Sequence, residues 1–171
     1  MAPQDIQQPI KIMLTLPTQA YFMSGVRDFT LGLIKNTTQF GDMWAFRFQS
    51  IVDELCNNAI EFGSAPGKDI KLEFLYDGKS LEITVEDTGT GKNKTTAKEL
   101  TAIVEERKKP TYVNKEIRGR GLSKIVANWT DELKFEDTQA GGVKVTAKKY
   151  LNQEKNPTGL QMEEKTHIVL Q

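Results

Sequence analysis

The chain has 171 residues with 23 basic and 23 acidic side chains, a formal net charge of zero. That length suits one domain of ~100–200 residues with its own core, and the charge balance excludes a general electrostatic grip on nucleic acid, which needs a basic surplus. The single cysteine, Cys56, excludes an intramolecular disulfide and a cysteine-built zinc site, and the single histidine, His167, leaves histidine catalysis resting on one of the last five residues.

Residues 1–9 carry two prolines, three glutamines and no pattern, and are expected to form a flexible arm. Ile10, Ile12, Leu14 and Leu16 then alternate with Lys11, Met13 and Thr15. A period of two predicts a half-buried strand, which Pro17 stops. Thr18 is placed to cap a helix over about 18–36, with Tyr21, Phe22, Val26, Phe29, Leu33 and Ile34 as its apolar stripe. Gly25 and Gly32 lie seven apart on one face of it. Each costs ~1 kcal/mol relative to alanine, which suggests close packing against a sheet.

Asn36–Asp42 is a polar loop with Asp42 in a capping position. A second helix over about 43–62 follows from Phe48, Ile51, Val52, Leu55, Ala59 and Ile60, and Gly63-Ser64-Ala65-Pro66-Gly67 ends it. Ile70, Leu72, Phe74 and Tyr76, then Leu81, Ile83 and Val85, predict two strands joined at Asp77-Gly78 as a hairpin. Lys92–Arg118 is a long irregular stretch enclosing a short helix over about 96–108. Gly119–Trp129 reads as a loop turning into a helix through Leu122, Ile125, Val126 and Trp129. Short strands are expected over 132–136 and, after Gln139-Ala140-Gly141-Gly142, over 143 to about 150. The tail, 151–171, is polar until His167-Ile168-Val169-Leu170, and is either disordered or an added edge strand.

All six prolines fall outside these helix and strand interiors. Hairpin strands with helices gathered between them predict an α+β fold, a two-layer sandwich with helices on one face of a mixed, mostly antiparallel sheet. No apolar run approaches the ~18–20 residues of a membrane span, and Met1–Asp5 lacks the basic-then-apolar start of a signal peptide. A reducing, cytoplasmic setting is expected.

Three patches can carry chemistry. On the second helix Glu54 and Asn58 are four apart and share a face, as do Asn57 and Glu61. A carboxylate beside a carboxamide oxygen suits a hard cation such as Mg²⁺ or a general base; it also suits the wet face of an amphipathic helix. Asp87-Thr88-Gly89-Thr90-Gly91 follows a strand, and its two glycines let backbone approach a ligand, or simply make a turn. Arg118-Gly119-Arg120-Gly121-Leu122-Ser123 opens a helix, where free N–H groups and the dipole favour an anion and the arginines suit phosphate. The stretch 92–118 before it holds eight Lys/Arg against four Asp/Glu, a local surplus in a neutral protein. The spacing matches neither a Walker A loop nor a dinucleotide fingerprint.

In this order and spacing the patches resemble the boxes of the GHKL (Bergerat-fold) ATPases. The N box is matched by Glu54–Gly63, the first glycine box by Asp87–Gly91 and the second by Gly119–Leu122. The chain is most similar to the stand-alone anti-sigma-factor serine/threonine kinases, which also place a strand and helix before the N box, as 10–36 does here. The resemblance covers about 8–150, with 151–171 outside it.

It implies a histidine-kinase-like ATPase domain over 10–150, with a lid at about 92–118. It implies ATP and Mg²⁺ as cofactors. Glu54 would be the general base and Asn58 the metal ligand; Asp87 would read the adenine amino group, with Gly89 and Gly91 beside it. Gly119, Gly121 and Leu122 would give N–H groups to the phosphates, and Arg118 or Arg120 would steady the transferring group. The implied activity is phosphoryl transfer to a Ser or Thr of a STAS-type antagonist protein, with sequestration of a sigma factor or similar client. A homodimer would form through exposed parts of helix 18–36. Two other readings stand beside it: an ATP-gated binding module without transfer, and the ATP-binding subunit of a split histidine phosphorelay. Phe62 replaces a usual histidine, Lys92-Asn93-Lys94 replaces an apolar residue, and Val143 replaces a threonine near the adenine.

Overall fold

In a computed structural model, residues 8–92, 95–109, 126–151 and 167–170 are described. Strand β1 (Ile10–Pro17) leads through a 3₁₀ turn (Ala20–Phe22) into α1 (Met23–Thr37) and then α2 (Asp42–Asn58), which closes in a π turn (Ala59–Gly63). The hairpin β2 (Asp69–Tyr76) and β3 (Ser80–Glu86) follows, then α3 (Ala97–Lys108), a last helical turn α4 (Ala127–Trp129), β4 (Glu132–Asp137), β5 (Val143–Tyr150) and β6 (His167–Leu170). The strands form one sheet in the order β1-β2-β3-β5-β4-β6, antiparallel throughout except for the β4–β6 pair. This is the α+β arrangement expected from the sequence. Among the described residues, no helix is long and apolar enough to cross a membrane.

Alternation decides which face each strand buries. Ile70, Leu72, Phe74 and Tyr76 of β2, Leu81, Ile83 and Val85 of β3, and Leu133 and Phe135 of β4 are buried under the helices. From α1 come Met23, Val26 and Ile34, and from α2 Trp44, Phe48, Ile51, Val52 and Leu55. The other face carries Lys11, Lys71, Lys134, Lys144 and Lys148 among Glu73, Glu82, Glu86, Glu132 and Glu136. Opposite charges meet across strands there, as in Lys11–Glu73, Lys71–Glu86, Lys148–Glu82 and Lys144–Glu136. These exposed pairs keep that face wet more than they stabilise it.

The start of α2 is held in an aromatic cluster. Phe40 meets Phe48 edge-on at 5.0 Å, Trp44 lies 5.6 Å from Phe48, and the Tyr76 hydroxyl accepts from the Gln39 N–H at 3.2 Å. Arg47 lies between two indoles, 4.7 Å from Trp44 and 5.5 Å from Trp129, so it joins α2 to α4. Lys149 enters the helical layer from β5, 5% exposed, and its charge is answered by Asp131 at 3.0 Å.

Four local expectations are corrected. Thr18 caps no helix: its hydroxyl donates to the Ala65 carbonyl at 3.2 Å and its N–H to Lys68 O at 3.0 Å, tying the end of β1 to the approach to β2. Asp42 is the first residue of α2 rather than its cap, a place where a carboxylate favours the helix dipole. A Cβ at Gly25 or Gly32 would meet nothing within 4 Å, so close packing does not explain either glycine. Tyr21, placed in the stripe by its spacing, is 85% exposed because the 3₁₀ turn changes the phase before α1 begins.

Phe48→Ala removes a side chain that is 1% exposed from the centre of this cluster. It is expected to cost ~3–5 kcal/mol, read as a lower urea midpoint with unchanged slope by circular dichroism.

Candidate functional site

The C-terminal half of α2 has a dry side and a wet side. Leu55 and Cys56 face the core at 3% and 0% exposure. Burial pushes the Cys56 thiol up to about 12, so it stays protonated and serves packing rather than chemistry. Asp53 pairs with Arg27 of α1 at 2.8 Å and holds the two helices together. Glu54 and Asn58 are half-buried on the other side, where the Asn58 amide donates to Glu54 Oε1 at 3.1 Å. The amide nitrogen is engaged by this bond, which directs the Asn58 carbonyl oxygen elsewhere.

Beyond Asn58 the helix widens into the π turn, so the expected helix over 43–62 is α-helical only to Asn58. The widened turn carries Gly63 across the end of β3, where the Gly91 N–H donates to Gly63 O at 3.3 Å. Ser64 Oγ accepts from the Thr88 N–H at 3.0 Å, and Thr90 Oγ1 accepts from the Ala65 N–H at 3.0 Å. The Thr88 and Thr90 hydroxyls also bond each other at 2.6 Å. The Asp87–Gly91 segment is thus knitted to the end of the helix that bears Glu54 and Asn58.

Asp87 is the centre of this joint. Its Oδ1 accepts from the Gly89 N–H at 2.9 Å and the Val143 N–H at 3.0 Å, while its own N–H donates to Val143 O at 3.0 Å. Among the described residues no hydrogen bond reaches Oδ2. Glycines stand where side chains would crowd this carboxylate. A Cβ at Gly63 would lie 2.2 Å from Oδ2, and one at Gly142 would lie 2.1 Å from the Asp87 carbonyl oxygen. At Gly89, φ is +65° and a Cβ would meet Gly141 O at 1.9 Å, so glycine is required there twice over. Burial raises the Asp87 carboxyl above its usual 3.8, with Glu86 adding to the rise and the two backbone N–H bonds opposing it.

The structure therefore brings Asp87, Gly89 and Gly91 together with the helix end that follows Glu54 and Asn58. Arg118, Gly119, Arg120, Gly121 and Leu122 lie outside the described residues. So do residues 93–94 and 110–117 of the stretch 92–118, while α3 within that stretch docks on β4 with Ala97 and Val104 buried. The start of α3 is fixed by a reciprocal cap between Thr96 and Glu99 and by Asp137, which accepts from the Ala97 N–H at 2.8 Å. Sequence reasoning missed Ser64, the packing role of Gly142, and Thr138, whose hydroxyl accepts from the Gly142 N–H at 3.0 Å. Gly141-Gly142 before β5 was the available signal. Among the described residues no group of three His, Cys, Asp or Glu could hold a metal ion.

Two comparisons bear on this geometry. A family model described as the histidine kinase-like ATPase domain matches residues 23–149, from the start of α1 to the end of β5. No curated protein matches the sequence.

Because its carboxyl is raised, Asp87 contributes its full stability below pH 3.8 and loses it as pH rises through the folded-state value. Asp87→Asn keeps an acceptor for both N–H groups and does not ionise. Its melting temperature at pH 7 is expected to equal or exceed that of the wild type, the gap closing as pH falls below ~4. A variant clearly less stable at pH 7 would contradict this account.

Proposed function

We propose a function on the premise that this chain belongs to the histidine kinase-like ATPase domain family, as the match over residues 23–149 establishes. It is a Mg-ATP-dependent regulatory serine/threonine protein kinase of the anti-sigma type. It transfers the γ-phosphoryl group of ATP to a Ser or Thr hydroxyl of a STAS-type antagonist protein, and it sequesters a sigma factor or similar client. The observation that carries the nucleotide part is the Asp87 carboxylate: Oδ1 is filled by two backbone N–H groups, and Oδ2 sits among glycines with no other donor among the described residues. One such acceptor suits the single exocyclic amine of adenine. Gly89 and Gly91 let the base approach backbone.

Phosphoryl transfer needs mainly positioning and charge neutralisation. Glu54 would take the proton of the attacking hydroxyl. Asn58, its nitrogen turned to Glu54, would offer its carbonyl oxygen to Mg²⁺, which when bound neutralises charge on the phosphates. Gly119, Gly121 and Leu122 would donate N–H groups to the phosphates, with Arg118 or Arg120 beside them, and the stretch 92–118 would act as the lid. Tyr21 and Phe22 in the 3₁₀ turn and Phe29 in α1 are exposed and support pairing of two copies. The zero net charge supports protein partners over nucleic acid.

Calorimetric titration of Mg-ATP is expected to show saturable binding to the wild type, its loss in Asp87→Asn, and weakening in Asn58→Ala or without metal. Glu54→Ala is expected to bind ATP as the wild type does but to transfer phosphate ~10²–10⁴-fold more slowly; undiminished transfer would sink the base assignment. A second reading, ATP-gated partner binding without transfer, is favoured by Glu54 being engaged by Asn58 in this structure. Nucleotide-dependent partner affinity with no phosphoprotein would select it.

A further inference from the structure

We infer that the open face of the sheet is a self-complementary surface on which a second copy of this chain docks. Five lysines and five glutamates line that face, so it favours neither an acidic nor a basic partner by its total charge. Their order is what selects the partner. The strand register lays the outward positions of β2, β3, β5 and β4 in three rows across the sheet. One row runs Lys71, Glu86, Lys144, Glu136. The middle row runs Glu73, Thr84, Thr146, Lys134, and the third Leu75, Glu82, Lys148, Glu132.

A line along the strands between β3 and β5 divides every row in two. Across it Glu86 answers Lys144, Lys71 answers Glu136, Glu73 answers Lys134 and Glu82 answers Lys148. Glu132 falls opposite Leu75 instead, and it accepts from the Tyr150 hydroxyl of its own chain. A two-fold axis parallel to that line sets each residue of one copy over its counterpart across the line in the other. Two sheets stacked ~10 Å apart then place lysine over glutamate at all four pairs, and the symmetry repeats each pair. The line itself passes between the Thr84 and Thr146 hydroxyls, 3.1 Å apart, whose small side chains let the faces approach.

Aligned sheets cross at about 30°, which spoils register toward their edges. The four pairs sit on the four central strands of the six, where register holds best. Within one copy Lys71–Glu86, Lys148–Glu82 and Lys144–Glu136 are already opposite neighbours across strands. Docking therefore sets a second opposite charge over each, rather than burying any of them alone. Such a contact is polar and weakens with salt. The helices cover the other face of the sheet, so this surface is separate from the exposed aromatics at Tyr21, Phe22 and Phe29.

The test is sedimentation equilibrium of the full chain without nucleotide. The wild type is expected to dimerise, with affinity falling at least about tenfold between about 20 mM and about 500 mM salt. Glu73→Lys sets a lysine over Lys134, and Lys134→Glu sets a glutamate over Glu73. Each variant alone is expected to lose at least about tenfold in dimer affinity. An equimolar mixture of the two is expected to regain it, because every pair matches in the mixed dimer. A wild type that stays monomeric at low salt would overturn the proposal. So would a dimer indifferent to salt and to both substitutions, which would put the pairing on another surface. Folded single variants that dissociate but do not recover on mixing would overturn it as well. If either variant fails to match the wild type by circular dichroism, Lys71→Glu and Glu136→Lys carry the same comparison.

Discussion

A half-buried carboxylate at the end of β3 organises one end of the molecule. Asp87 binds the backbone on both sides of it, Gly89 in its own turn and Val143 at the start of β5. Its surroundings are backbone rather than side chain, because Gly63, Gly89 and Gly142 come from three separate segments to within touching distance. The energetic logic is consistent with a site. Desolvation of the carboxyl is unfavourable and only part of it is offset by two N–H donors. A carboxylate with one oxygen saturated and the other not, held among close-packed backbone, is what marks this end of the molecule as the candidate site.

The second constraint is α2, which spans the molecule and does different work at each end. At its start, Trp44 and Phe48 lock into Phe40 and Tyr76. At its finish the α-helix gives way to a π turn, which moves Gly63 against Asp87 and lets Gly91 bond its carbonyl. Packing at one end thus sets where Glu54 and Asn58 stand relative to Asp87 at the other. Arg47 ties α4 into the same helix through two indole faces.

Legibility followed the range of the forces involved. The strands were readable because alternation acts over neighbouring residues: β2, β3 and β5 lie where alternation placed them, within one or two residues. The hairpin loop proved three residues long, with Gly78 at φ +83° and the Asp77 carboxylate accepting from Lys79 and Ser80, a geometry the Asp-Gly pair announced. The Thr96–Glu99 capping box was also present in the sequence and only its spacing needed reading. Thr18 and Lys149 were not readable. A threonine after Pro17 looks like a cap until Ala65 is beside it. A lysine that continues the inward alternation of β5 looks like an error until Asp131 and Trp44 surround it.

The sequence by itself determined the element order, the face each strand buries, and three patches whose residue types suit a nucleotide. These rest on periodicity and local backbone preference, which neighbours in the chain settle. Tertiary structure alone decided that Gly63 and Gly142 are the walls of the Asp87 site, that Oδ1 is filled while Oδ2 is not, and that the tail returns beside β4. Those facts depend on groups tens of residues apart meeting within a few ångströms. No local pattern encodes such a meeting; the closing of the sheet and the packing of α2 upon it do.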